Sequence, residues 1–178
     1  MIKRSFKLAL LPAAVFCMVF GTGLRAQTLD EARTFTKNEQ YDKAEALFQQ
    51  LIQKEPANSA IYFHYGENTL LNYFADTISN SLNIATKEAA DIFDKGVAAN
   101  AADPLNHIGL AKVASLNGQE AKAEELRLKA KALLPPYKKV TKIQNPKGYA
   151  YALAKIAESY IRFEQVDTSK ALPFIRQA

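Results

Sequence analysis

Two short stretches of this chain are near copies, and a chain that repeats itself folds as a stack of like units, each covering its neighbour's apolar face. Asp42-Lys43-Ala44-Glu45-Ala46-Leu47 matches Ala121-Lys122-Ala123-Glu124-Glu125-Leu126. Pro56 follows Ala44 by 12 residues, and Pro135 follows Ala123 by 12. A second echo pairs Leu110-Ala111-Lys112-Val113-Ala114 with Leu153-Ala154-Lys155-Ile156-Ala157. Only seven Gly and seven Pro interrupt a composition rich in Ala, Leu, Lys, Glu and Gln, so the repeated unit is helical.

The small and large residues fall in an order that resembles the tetratricopeptide repeat, a helix–turn–helix unit of about 34 residues closed by Pro. The third repeat fits best, with Leu110, Ala111, Ala114, Gly118 at the turn, Ala123, Ala130 and Pro135. The first gives Ala32, Phe35, Tyr41, Ala44, Phe48, Leu51 and Pro56. The second gives Tyr62, Tyr65, Gly66, Ala89, Phe93 and Gly96, and closes around Asn100 to Pro104. A fourth begins with Leu153, Ala154 and Ala157 and continues to Ala171 and Ile175. The resemblance implies an all-α chain, a right-handed α-solenoid of about three and a half hairpins over residues 27–178. Its repeats fall at about 27–57, 58–102, 103–136 and 148–178.

Physical chemistry accounts for this order. Ala32, Gly66, Ala111 and Ala154 let paired helices approach closely, while Phe48 and Phe93 fill the gap left by small residues of the next unit. Ala44, Phe48 and Leu51 share one helical face. Thr28 with Glu31 reads as a capping box, and Asp103-Pro104 puts Pro at a first-turn position. Two departures stand out. Pro56 to Ala101 spans 45 residues, 11 beyond the unit length, with the surplus around Tyr73 to Ser81. Either both helices of that hairpin lengthen or a loop projects from its tip. A nine-residue excess also separates Pro135 from Leu153-Ala154. Pro135-Pro136, Asn145-Pro146 and Gly148 read there as loop punctuation. Its lysines, Lys138, Lys139, Lys142 and Lys147, form either a solvated linker or a basic surface.

Residues 1–26 stand apart. Lys3, Arg4 and Lys7 precede an apolar stretch from Leu8 to Phe20, and Leu24-Arg25-Ala26 ends on a small residue. This is the order of a secretory signal, too short to span a bilayer comfortably, with an uncleaved anchor as the alternative. The mature chain is expected outside the cytoplasm, in the periplasm, envelope or extracellular space. Cys17 is the sole cysteine and lies in this segment, flanked unlike a lipidation site, so the remainder has no thiol for a disulfide, metal or nucleophile. The whole chain has 23 Lys+Arg against 18 Asp+Glu. Without Lys3, Arg4, Lys7 and Arg25 the balance is 19 to 18, which gives no electrostatic footprint for nucleic acid. At the other end, Leu172 and Ile175 have little to pack on, and Pro173 falls near the start of the last helix. Either the natural chain continues past Ala178, or a partner or second copy covers that edge.

No catalytic pattern stands out. His64 and His107 are far apart, no Gly-rich phosphate loop or His-Glu-x-x-His run is present, and Glu124-Glu125 has Lys at neighbouring turns. The expectation is a non-enzymatic chain without cofactor or metal. In the family it resembles, partners bind a concave groove lined by the first helix of each hairpin. Matched positions are Arg33 and Lys37, then Phe63 and Glu67, then Ile108, Lys112 and Ser115, then Tyr151, Lys155 and Glu158. Arg33, Glu67, Lys112 and Lys155 share one register, a mostly cationic row suited to an acidic protein or peptide partner. The alternative is that these are the solvated faces of amphipathic helices. The chaperone-tail clamp found in some members is not supported, because its positions hold Leu29, Arg33, His64, Leu105 and Gly109. A rival reading is a structural module that assembles or self-associates through its uncapped last hairpin.

Overall fold

Thr28 opens the first helix by accepting the Glu31 amide on Oγ1 at 3.2 Å, the N-cap half of the expected capping box. A computed structural model describes residues 28–136, 145–160 and 168–178, and all the regular structure in them is helical. The helices are α1 (Leu29–Lys37), α2 (Tyr41–Lys54), α3 (Ser59–Ala75), α4 (Leu82–Ala99), α5 (Pro104–Leu116), α6 (Glu120–Leu133), α7 (Pro146–Glu158) and α8 (Thr168–Ile175). The expected leader with Cys17, and Lys138, Lys139 and Lys142, lie outside the described residues.

The near-copied sequences begin at near-copied turns. Asn38-Glu39-Gln40 joins α1 to α2, and Asn117-Gly118-Gln119 joins α5 to α6, at the same separation as Ala44 and Ala123. The Gln40 amide donates to the Phe35 carbonyl at 2.9 Å, and Gln119 to Ala114 at 2.8 Å. Both turns pass through the left-handed region, with φ 58° at Glu39 and 73° at Gly118. Glycine enters it freely, whereas Glu39 bears a Cβ clash of roughly 1 kcal/mol.

In the second hairpin the surplus goes mainly into helix. α3 and α4 run 17 and 18 residues, against 13 and 14 in α5 and α6. Asp76 ends α3 by accepting the Ile78 and Ser79 amides on Oδ1 at 3.1 and 3.0 Å. The loop reading of Asn145, Pro146 and Gly148 is corrected. Asn145 caps α7 by accepting the Gly148 amide at 2.9 Å, and Pro146 occupies a first-turn position, where a missing N–H costs nothing. Pro173 also lies deeper than expected, as the sixth residue of α8.

Each helix packs on the next in sequence, and α1 packs on α3, α3 on α5 and α5 on α7. No such packed layer joins α2, α4 and α6. The apolar spacing explains the contacts. Phe48 is buried with Ala32, Leu51 and Ile61 and stacks on Tyr65 at 5.7 Å. Phe93 is inserted between α3 and α5, where a Cβ on either Gly66 or Gly109 would come within 2.4 Å of its ring. Buried polar groups fasten units together: Thr36 donates to Asn68 at 2.8 Å, Thr86 to Asn117 at 3.1 Å, and Asn106 Nδ2 to the Ser59 carbonyl at 3.1 Å. At the far end Ala171 and Phe174 are buried, while Leu172 and Ile175 are exposed. No helix among the described residues is long and apolar enough to cross a membrane.

Candidate functional site

The contacts among α1, α3, α5 and α7 bring much of the matched register together. Glu67 on α3 accepts from Lys155 Nζ on α7 at 2.6 Å and lies 3.5 Å from His64 Nδ1. Lys155 also reaches Glu158 at 2.9 Å, and Glu158 meets Lys112 on α5 at 3.5 Å. Two lysines and two glutamates thus form one network across three helices. The row read as mostly cationic is locally neutralised, because Glu158 lies one turn beyond Lys155 and turns back onto it.

This network is half-withdrawn from water, which decides its electrostatics. Burial alone would raise the Glu67 carboxyl, but hydrogen bonds from His64 and Lys155 and the Lys155 charge outweigh it and hold the group below its ordinary 4.5. Burial alone would lower Lys155, yet Glu67 and Glu158 raise it. Tyr151 packs beside them, its ring 5.7 Å from Lys155 Nζ and 6.4 Å from the edge-on Phe63 ring. Burial raises the Tyr151 phenol, helped by the charge of Glu67.

Three of the ten positions are interior. Phe63 is 1% exposed and Ile108 3%, the latter packed with Tyr149, Leu153 and Ile156. Ser115 is buried and accepts from Arg127 Nη2 at 2.5 Å. The crevice among Phe63, Glu67, Ile108, Lys112, Lys155 and Glu158 is about 10 Å³, near the minimum for one water, so no partner side chain enters it as it stands. Arg33, which pairs with the exposed Asp30 at 3.0 Å, and exposed Lys37 sit on α1 outside the network. With the outer edges of Lys112, Tyr151 and Glu158, they form the accessible part of this face.

The sequence reading missed Arg127. It is 2% exposed, donates to Ser159 Oγ at 3.1 Å and the Ser159 carbonyl at 2.6 Å, and stacks 4.2 Å over the Tyr160 ring. The signal was present: Ala123, Arg127 and Ala130 share one helical face, so a guanidinium sits where the pattern expects an apolar residue. His107 is buried. Its Nε2 lies 3.3 Å from the Ala101 carbonyl, and its Nδ1 has no protein partner. Among the described residues no three His, Cys, Asp or Glu gather as a metal site would need.

Larger openings lie elsewhere. A cleft of about 460 Å³ runs between α2 and α4 over α3, and one of about 780 Å³ between α4 and α6 over α5. No protein-family model matches the chain, and no curated protein matches it.

Proposed function

We propose that the chain is an exported, non-enzymatic interaction scaffold that binds a protein or peptide segment. In this reading residues 1–26 are a cleaved secretory signal. Residues 27–178 form a right-handed α-solenoid of tetratricopeptide-type hairpins, working in the periplasm or envelope. The carrying observation is the asymmetry of packing. First helices α1, α3, α5 and α7 touch pairwise, whereas α2, α4 and α6 are separated by open clefts. Closer spacing on one side favours a stack that curves toward the first helices, leaving Arg33, Lys37 and the rim of the charged network on a shared concave face. Because Lys112 and Lys155 are matched by Glu67 and Glu158, attraction for an acidic partner at this face rests on Lys37 and on Arg33, whose pair with Asp30 is solvent-exposed and weak.

The test combines processing with site-directed crosslinking. The first residue of the mature chain should be Gln27, recovered outside the cytoplasm. A photoreactive side chain at Lys37 should trap a partner that the same group at Gln50, exposed on α2, does not. A partner trapped equally from both positions, or a chain retained in the cytoplasm, would sink this reading. Assembly through the last hairpin has one specific observation in its favour, the exposure of Leu172 and Ile175. It predicts a concentration-dependent mass that Leu172→Glu/Ile175→Glu reduces to the monomer.

A further inference from the structure

The cleft between α4 and α6 has a chemistry that the first-helix face lacks. Asn83, Lys87, Ala90, Asp94 and Val97 line it from α4, and Lys122, Leu126 and Lys129 from α6. Spacings of four and three residues mean that it follows the helix axes in a straight line. From Asn83 to Val97 this is about 21 Å at 1.5 Å per residue. Its floor is α5, through Leu110, Val113 and Leu116. Leu110, Leu116 and Leu126 remain half-buried, so the trough offers apolar surface still in contact with water.

Charge separates this trough from its neighbour. The α2–α4 cleft presents Glu45, Glu88 and Asp91 against Lys95, over the polar Asn68, Thr69 and Asn72. The α4–α6 trough presents Lys87, Lys122 and Lys129 against Asp94. All three lysines are exposed, and none has a carboxylate partner among the described residues. Lys112 and Lys155, by contrast, are held by Glu67 and Glu158.

We infer that the α4–α6 trough docks an amphipathic helix of a partner protein, seating an apolar stripe on α5 with Glu or Asp side chains facing Lys87, Lys122 and Lys129. A helix suits it better than an extended peptide. The Leu and Val side chains of the floor provide no hydrogen bonds to an exposed backbone, and a helix satisfies its own. A length of about 15 residues matches the trough. This inference does not depend on the first-helix face binding anything.

The experiment uses the full chain and a fluorescent peptide of about 15 residues, with Leu at helical i, i+3, i+4, i+7 spacing and Glu elsewhere. A control of the same composition has the Leu positions scrambled. Anisotropy should show binding of the amphipathic peptide at low salt and little of the scrambled one. Lys122→Glu/Lys129→Glu should weaken it at least roughly tenfold, from the loss of attraction and the added repulsion. The milder Lys122→Gln/Lys129→Gln should weaken it less, with far-UV circular dichroism showing both variants folded. Lys43→Glu/Lys54→Glu, exposed on α2 and outside both faces, should leave binding unchanged, and Arg33→Glu/Lys37→Glu reports separately on the first-helix face. The inference is overturned if the peptide does not bind, if both lysine variants bind it as the parent does, or if the scrambled peptide binds equally. It is likewise overturned if the Arg33/Lys37 variant is the one that loses binding. Vesicles of anionic phosphatidylglycerol form the last arm: capture by them through the same lysines, without peptide binding, would make the trough a membrane surface instead.

Discussion

Replacing Lys155 by Met tests the charged network, because Met keeps much of the stem's volume while removing the ammonium. Lys155 Nζ lies 2.6 Å from Glu67 and 2.9 Å from Glu158, and its side chain is 18% exposed against 15% for Glu67. Removing one partner of a fully buried pair costs about 3–5 kcal/mol, since the other charge is stranded, whereas an exposed pair costs up to about 1 kcal/mol. At this exposure, and with His64 still beside Glu67, the loss should be about 2–3 kcal/mol. With a urea slope of about 1.5–2 kcal/mol per M, the midpoint falls by about 1–2 M. Glu67→Gln alone should also destabilise, and the double variant should recover much of the sum, with a coupling of at least about 1 kcal/mol. The pH dependence carries the same signature. The Glu67 carboxyl is held below 4.5, so its stabilisation is complete above that pH and is lost as acid protonates the folded group. Lys155→Met should shrink this acid-dependent part. Urea titrations followed by circular dichroism at pH 7 and at pH 4 measure both effects. A midpoint loss equivalent to less than about 0.5 kcal/mol would refute the reasoning, because it would make the network an ordinary surface pair.

Three further outcomes follow from the same geometry. Gly66→Ala places a Cβ within 2.4 Å of the enclosed Phe93 ring, so thermal unfolding should show a net loss of about 1–3 kcal/mol despite alanine's better helix propensity, partly relieved by adding Phe93→Leu. At the matched turns the signs should oppose: Gly118→Ala (φ 73°, with open space at its Cβ) should cost about 1 kcal/mol, while Glu39→Gly (φ 58°) should gain up to that amount in chemical denaturation. Burial, with the charge of Lys129, holds the His107 imidazole below its ordinary 6.5 despite its contact with the Ala101 carbonyl. Stability should therefore decline as pH falls through about 6.5, where the unfolded chain takes up the proton first. His107→Leu should flatten urea midpoints measured between pH 7 and pH 5.

Much of the helical organisation was legible in the chain itself. Helix content follows from local preference. Thr28, Asp103 and the turn at Gly118 mark helix ends through bonds made within a few residues, so they can be read without a fold. The spacing of Ala44, Phe48 and Leu51 named a buried face, and Gly66 named a close approach. The sequence reading gave Phe93 to the next unit only, whereas its ring lies over Gly66 of its own hairpin as well as Gly109. Local signals misled where one residue type serves two purposes, as when Asn145-Pro146 opened a helix instead of a loop. The charged face was legible only as a list. That Lys155 meets Glu67, 88 residues away, and not a partner, depends on how close α3 and α7 lie, and no spacing along the chain records that distance. Burial of Arg127 and opposite charge in the two clefts beside α4 are of the same kind. Sequence determined which faces are apolar, because periodicity is a property of one helix. Tertiary structure decided which charges remain available, because an ion pair between helices depends on where the backbones stand.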